Sequence, residues 1–382
     1  MSTPRAVTVA TRIYEPENGA AAYRLGALVR ALDGAGYTTT VLTTRPPVPV
    51  KAESRVRRWP VLRDATGAVR GYLQYASFDI PLFFRLLFAK RVDLVVVEPP
   101  PTTGAVCRVV CAIRRIPYVY FSADVSWSAA AGIGVNKAVV SLLRAVEGWV
   151  LRGAAAVLAV SDGVRDQVLD LDVDEQRVTV VGTGIDVDTF SAEGPMSDVD
   201  YPYFVYAGTM SEIHGAEVFI DAFHRIAAKH PTARLMLFGQ GVEVQSLKAR
   251  VRELGTDRIE FPGLVDGREI ARWLRGARAG LASVRPHRGY DFAFATKALV
   301  ALSCGSPVIY AGVGPLHNLI RDNSLGWAAE WDVAQVAEAM DDALELSVAA
   351  SRRGTLSEWV ETNFSLARVG SRAVSAIDMV FD

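Results

Sequence analysis

The feature that most constrains this chain is a rhythm that runs through it twice: short apolar runs rich in Val, Ala and Tyr alternate with longer amphipathic segments. Runs of that length are strands of a parallel sheet covered on both faces, and the amphipathic segments are its helical crossovers. In the first half, strands are expected at AVTVAT, TTVLTT, DLVVVEPP, PYVYFSAD, AAVLAVS and VTVVGTG; in the second, at YFVYAGT, ARLMLFG, IEFPG, AGLASV and PVIYAG. Between the halves, DVDTFSAEGPMSDVDYP is polar, rich in turn residues and without helical periodicity, which reads as a linker. The expected class is therefore α/β, with two Rossmann-like, doubly wound domains at residues 1–198 and 199–365, and 382 residues suffice for both. Ligands on such sheets bind beyond the carboxyl ends of the strands, and a cleft faced by both domains is the expected active site.

Composition removes several function classes. Lys and Arg total 41 against 42 Asp and Glu, and no basic block is long enough to make a nucleic-acid-binding field. Cys107, Cys111 and Cys304 do not form a disulfide framework, and the CRVVCAIRR pair has no His nearby to complete a zinc set. The opening MSTPRAVTVATRI enters a β-like run without a signal-peptide core, and no apolar run approaches the ~20 residues of a membrane span, so a cytoplasmic protein is expected. The run YASFDIPLFFRLLFAKR suits two roles: a core helix under the sheet, or a helix lying in a headgroup layer at the inner face of a membrane. In the loop after the first strand, Gly19 and Ala20 stand where the chain turns into a helix, as a turn glycine or as a close approach to a ligand on the acceptor side.

Taken in order, GAAAYRLGALVRALDGAGYTTTVLTT, AAAVLAVSDGVRDQVL, VTVVGTGIDVDTF, FVYAGTM, ARLMLFGQG, IEFPGLV and ALSCGSPVI resemble glycosyltransferase family 4, which has the GT-B fold. The resemblance covers nearly the whole chain. EPPPTTG and YVYFSADVSW are most similar to its fucosamine-transferase-like branch. It implies a retaining transfer from a nucleoside-diphosphate sugar, uridine-linked, without metal or other cofactor, to a saccharide, lipid-linked or small-molecule acceptor in polysaccharide or natural-product glycoside synthesis. It also implies that a last helix, 366–382, returns to the first domain.

The chain departs from the family at its charged positions. Counting back from Gly305 puts Val300 and Phe292 where the family has its two glutamates. After Gly208, in AGTMSEIHGAE, Thr209 and His214 occupy the places of a phosphate-binding Arg and Lys, and Thr183 replaces the usual Asn. Two further readings follow from these losses and from the architecture: a scaffold that partners another transferase, and a sugar-nucleotide epimerase.

Departure of a nucleoside diphosphate builds negative charge on phosphate oxygens, so donors and cations are needed there. In FATKALVALSCG a helix start near Ala295 would aim the amides of Ala295, Thr296 and Lys297 at a phosphate, with the Lys297 cation beside them. Arg285, His287 and Arg288 in VRPHRGYD follow a strand on the ligand-binding edge, where one is expected to neutralise phosphate and the others to be solvated. Gly239 and Gln240 in LFGQG, and the backbone of Gly263, Leu264 and Val265 in FPGLV, are expected to meet ribose and base, with Gln240 or Tyr290 substituting for the ribose carboxylate. On the acceptor side, Asp124 is the candidate base or else a cap of the next helix or turn, and Trp127 is a face for a sugar ring or else a buried aromatic. Glu147 matches an acidic family position and is expected to pair with Arg152.

Overall fold

The computed structural model describes residues 4–17, 19–47, 49–50, 52–64, 67–69, 71–128, 136–287, 291, 293–346 and 350–381. Arg288, Tyr290 and Phe292 lie outside them. The chain divides into two compact units, residues 1–184 with 366–382, and residues 185–365. The expected linker segment therefore belongs to the second unit: Arg275 donates to the carbonyls of Ser191 (2.8 Å) and Pro195 (3.1 Å), which ties that polar stretch to a helix.

In the first unit, strands β1 (Ala6–Ala10), β2 (Thr38–Thr44), β3 (Val56–Trp59), β4 (Leu94–Val97), β5 (Tyr118–Ser122), β6 (Ala156–Ala159) and β7 (Val178–Val180) form a parallel sheet in the order β3-β2-β1-β4-β5-β6-β7. Its helices are α1 (Ala20–Gly34), α2 (Tyr72–Leu87), α3 (Pro101–Arg114), α4 (Lys137–Gly153) and α5 (Asp162–Leu169). The second unit repeats the plan in six strands, β8 (Tyr203–Ala207), β9 (Arg234–Phe238), β10 (Ile259–Gly263), β11 (Ala279–Val284), β12 (Val308–Gly312) and β13 (Gly326–Ala329), ordered β10-β9-β8-β11-β12-β13. Around it lie α6 (Glu217–Ile226), α7 (Val244–Leu254), α8 (Gly267–Gly276), α9 (Thr296–Ser303), α10 (Pro315–Asp322), α11 (Val333–Glu345) and α12 (Ala350–Phe364). The last helix, α13 (Leu366–Phe381), belongs to the first unit and packs on α1, where Gly370 lies against Ala27 and Ala31.

The central strands of each sheet are largely aliphatic because both faces are covered along most of their length. Val7 and Val9 of β1 pack with Leu25 and Leu28 of α1, and Ala10 packs on the opposite face with Phe78 and Leu82 of α2. The strand order reverses between β1 and β4 in one sheet and between β8 and β11 in the other. Two α/β crevices at carboxyl strand ends follow, one per unit. Strands β3 and β13 were not legible in the sequence. Both are edge strands of four residues: VRRW carries two arginines, and GWAA has no β-branched residue to mark a strand. Among the described residues no helix is long and apolar enough to cross a membrane.

Candidate functional site

In the second unit the first three strand ends are joined beyond the sheet. The Gly208 amide donates to the Phe238 carbonyl (3.0 Å), Gly239 to Gly263 (2.8 Å) and Met210 to Gln240 (2.9 Å). Backbone meets backbone there so closely that a Cβ on Gly239 would stand 2.1 Å from the Gly208 oxygen, and φ of +123° suits only glycine. Beside this junction is a pocket of about 290 Å³. Gly208, Thr209, Gly239, Gln240, Leu264 and Val265 line it, together with Phe190, Phe238, Ile270 and Val300, so six of the residues named for donor binding share one wall-and-floor arrangement. Gly263 sits just outside, holding the Gly239 amide.

Val300 corrects an expectation. TKALVALSCG reads as apolar all round and therefore buried, yet Val300 is only half-buried and faces the pocket, while Ala298, Leu299, Ala301 and Leu302 carry the core contacts. The position at which the family has a glutamate thus opens on the space where Gln240 stands, but presents an isopropyl group to it.

Helix α9 begins at Thr296 with Ala295 as its cap residue, and no side chain caps it. Lys297, in its first turn, donates to the Tyr206 hydroxyl at 2.6 Å and lies 4.3 Å from that ring's centre. Tyr206, wholly buried, donates in turn to the Thr209 carbonyl at 2.9 Å. The Lys297 stem rests near Gly208, whose missing side chain makes that room. Desolvation brings the ammonium down to about 7, because no carboxylate offsets the loss of water. His214 shares a hydrogen bond with Ser211 Oγ (2.9 Å through Nδ1), and burial, followed by the Lys297 charge, holds its pKa at about 4. It is therefore neutral near pH 7 and supplies a polar group, not the counter-charge expected of its position. Arg285 is paired with Glu217 and stands 4.9 Å from the Trp331 ring centre, so its charge is matched within the protein. His287 donates its amide to Asp291 (3.0 Å), on the same edge.

The first unit has a denser cluster at its own crevice. At the end of β4, Glu98 is buried and accepts from Thr11 Oγ1 (2.7 Å), which follows β1, and from Arg24 Nη2 (3.1 Å) on α1. Burial raises its pKa against the pull of Arg24. Arg12 stacks on Tyr75, 3.7 Å from the ring centre, and buried Asp79 accepts from Thr103 (2.6 Å). Sequence reasoning missed this group; the available signal was VVVEPP, an acid directly ending an otherwise aliphatic strand. Gly19 precedes α1 with φ of +157° and open space where a Cβ would be, and Ala20 is exposed.

Asp124 is exposed, yet its carboxyl is raised by the protein around it, with Arg24 opposing. The loop carrying it is fixed from behind. Glu147 of α4 accepts the amides of Ser126 and Trp127, both at 3.0 Å, and burial raises its pKa to about 7. It does not pair with Arg152, which donates to the Leu171 carbonyl at 2.7 Å. Trp127 packs against the core, with Arg144 4.6 Å from its ring centre, and forms part of the wall instead of a free stacking face. Glu147→Gln would set an amide donor against one of the two backbone donors. It is expected to destabilise the protein by about 1–3 kcal/mol, checked by urea unfolding followed by circular dichroism. The three cysteines are buried and free. Among the described residues no group of three or more His, Cys, Asp or Glu is placed to hold a metal.

These two crevices define a doubly wound, two-unit α/β architecture, and comparison with known proteins narrows it. Residues 201–346 match the family described as glycosyl transferases group 1, and residues 19–184 match the glycosyl transferase 4-like domain. The chain belongs to this group 1, or family 4, of glycosyltransferases and has the GT-B fold. It is 28% identical over 211 residues to a D-inositol 3-phosphate glycosyltransferase of Frankia alni, an alignment covering 50% of this chain and 51% of that protein. The chain thus spans about half the length of the curated relatives it matches. Among solved structures, sucrose-phosphate synthase from Thermosynechococcus elongatus superposes with a TM-score of 0.76 at 17% identity over 99% of both chains. Anabaena Alr3699/HepE in complex with UDP and glucose gives 0.68 at 15% identity, over 97% of this chain and 99% of that one.

Proposed function

We propose that the protein transfers a sugar from a nucleoside-diphosphate donor, bound by the second unit, to an acceptor hydroxyl presented by the first, without a metal and with retention. The observation that carries this is the placement of Lys297 at the β8 strand end beside the first turn of α9 and within reach of the Gly208 and Thr209 backbone. A diphosphate there meets one ammonium and unpaired helix amides, which stabilise the leaving group's charge. Base and ribose fit the adjoining pocket, with the Leu264 and Val265 backbone and Gln240 as hydrogen-bonding partners. On the first unit, Asp124 is the candidate base, backed by the loop that Glu147 holds, and Arg24 and Glu98 form the floor. The fold shared with the UDP-bound Anabaena protein supports testing uridine diphosphate first. Membership of a fucosamine-transferase-like branch is part of the same proposal, on EPPPTTG and YVYFSADVSW, which here build α3's start and the Asp124 loop.

The half-neutral Lys297 gives this reading a pH signature. An anion stabilises the ammonium, so binding takes up a proton once the free lysine has begun to lose its own, and affinity falls as pH rises from about 7. A terminal phosphate is ionised with a pKa of about 6, so above pH 7 the ligand no longer changes charge. Calorimetric titration with uridine diphosphate between pH 7 and 9 is expected to show affinity falling by up to about tenfold per pH unit, with proton uptake seen as a dependence of heat on the buffer. A flat profile with full affinity at pH 9 would remove Lys297 from the phosphate site. Val300 facing the pocket favours a second reading, a nucleotide-binding partner of another transferase; binding without nucleotide release from any donor would select it.

A further inference from the structure

A parallel sheet is ordinarily covered on both faces, but one face of the first sheet is left partly open beside α2. On that side, Thr8 of β1 and Thr38 and Thr40 of β2 form the floor of a cavity of about 590 Å³, where aliphatic residues would otherwise be expected. Four cations rim it: Arg57 of β3, Arg85 of α2, and Lys90 and Arg91 just beyond that helix. Arg85 donates to the Arg57 carbonyl at 2.7 Å, and its other terminal nitrogen, Nη1, is buried without a partner. Arg91 has Asp93 at 4.0 Å, and among the described residues no carboxylate pairs with Arg57, Arg85 or Lys90. Phe88 closes the same cavity and continues outward into a stripe on α2: Ile80, Phe84 and Phe88, spaced one helical turn apart, are 61%, 53% and 74% exposed. Leu73 and Tyr72 extend the stripe toward the helix start.

We infer that this face docks on a bilayer carrying anionic phosphate headgroups, with a headgroup in the cationic cavity and the α2 stripe among the acyl chains. Charge and shape argue together. Four cations with one acid nearby suit a phosphate, and large apolar groups directly beside that cavity suit a ligand that is anionic at one end and hydrocarbon at the other. A soluble anion would account for the cavity but leave the stripe unexplained, and a neutral surface would account for the stripe but leave unexplained the four cations at the rim, even though Arg85 also donates to the Arg57 carbonyl and lies 5.6 Å from the Trp59 ring centre. The inference does not depend on the donor-site reading.

The test is flotation of the purified full chain with phosphatidylcholine vesicles, alone or containing phosphatidylglycerol, at low and high salt. A parallel thermal-shift titration uses inorganic phosphate. Binding is expected only to the anionic vesicles and to weaken with salt. Lys90→Gln, at an exposed side chain, is expected to reduce partitioning about fivefold, the share of one interfacial cation. Phe84→Ser with Phe88→Ser should abolish flotation while circular dichroism is unchanged. Three results overturn the inference: no flotation on anionic vesicles at low salt, equal flotation on neutral ones, or stabilisation by inorganic phosphate in a protein that floats on neither.

Discussion

Lys297→Ala is expected to lower turnover about 100-fold, the scale of losing one preorganised stabiliser of transition-state charge, and to weaken uridine diphosphate binding with it. The lysine is held at 2.6 Å by the Tyr206 hydroxyl, at the end of β8 and in a site dry enough to bring its pKa to about 7. A cation in such surroundings acts on a phosphate through a lower effective dielectric than a surface lysine does. Tyr206 still donates to the Thr209 carbonyl without it, so the loop keeps its support. Val300→Glu is the informative comparison: a carboxylate there enters the pocket proposed for the ribose, but it also stands among Phe190, Val265 and Ile270, which resist a charge. These opposed effects leave a smaller change in affinity than Lys297→Ala produces. Calorimetry and a nucleotide-release assay on both variants decide it, and near-wild-type affinity and rate in Lys297→Ala would sink the phosphate-anchor model.

Gly239→Ala should be among the most damaging single-atom additions in the second unit, destabilising it by about 2–5 kcal/mol through overpacking and left-handed backbone strain. The added methyl would stand 2.1 Å from the Gly208 carbonyl oxygen, in a backbone that cannot yield without breaking the bonds from Gly208 to Phe238 and from Gly239 to Gly263. Because those bonds shape the pocket, nucleotide affinity falls with stability. Gly354→Ala is the control: it sits inside α12 with nothing within 4 Å of the new methyl, and is expected to stabilise by about 0.5–1 kcal/mol. Equilibrium unfolding of both variants, with nucleotide titration of the folded fraction, would refute the argument if the two behaved alike.

The cluster at the first unit's crevice marks where sequence reading ran short. Glu98 and Arg24 are separated in the chain by the rest of α1 and by β2, β3, α2 and β4, and nothing local says that a helix-borne arginine will meet an acid ending a strand. Glu147 was legible as an acid of some structural importance, but its partners were not. Arg152 lies nearby along the same helix, whereas the amides it holds belong to a loop some twenty residues earlier. Arg285 reads in sequence as a cation on a ligand-binding edge, and its pairing with Glu217, from a separate helix, is not written in the local sequence.

What the sequence determined by itself is the α/β class, the division into two doubly wound halves, most of their strands, the start of α9 near Ala295 and the set of glycines and polar residues at the strand ends. These follow from periodicity and turn chemistry, which act over a few residues and are written directly into the order of side chains. Tertiary structure alone decided which of those residues share a wall. It turned Val300 toward the pocket while its helical neighbours entered the core, drew Lys297 to Tyr206, left His214 neutral and matched Arg285 with Glu217. Burial and charge depend on what arrives from distant parts of the chain, so the protonation of a side chain and the direction it faces are properties of the packed neighbourhood, set after the local elements have formed.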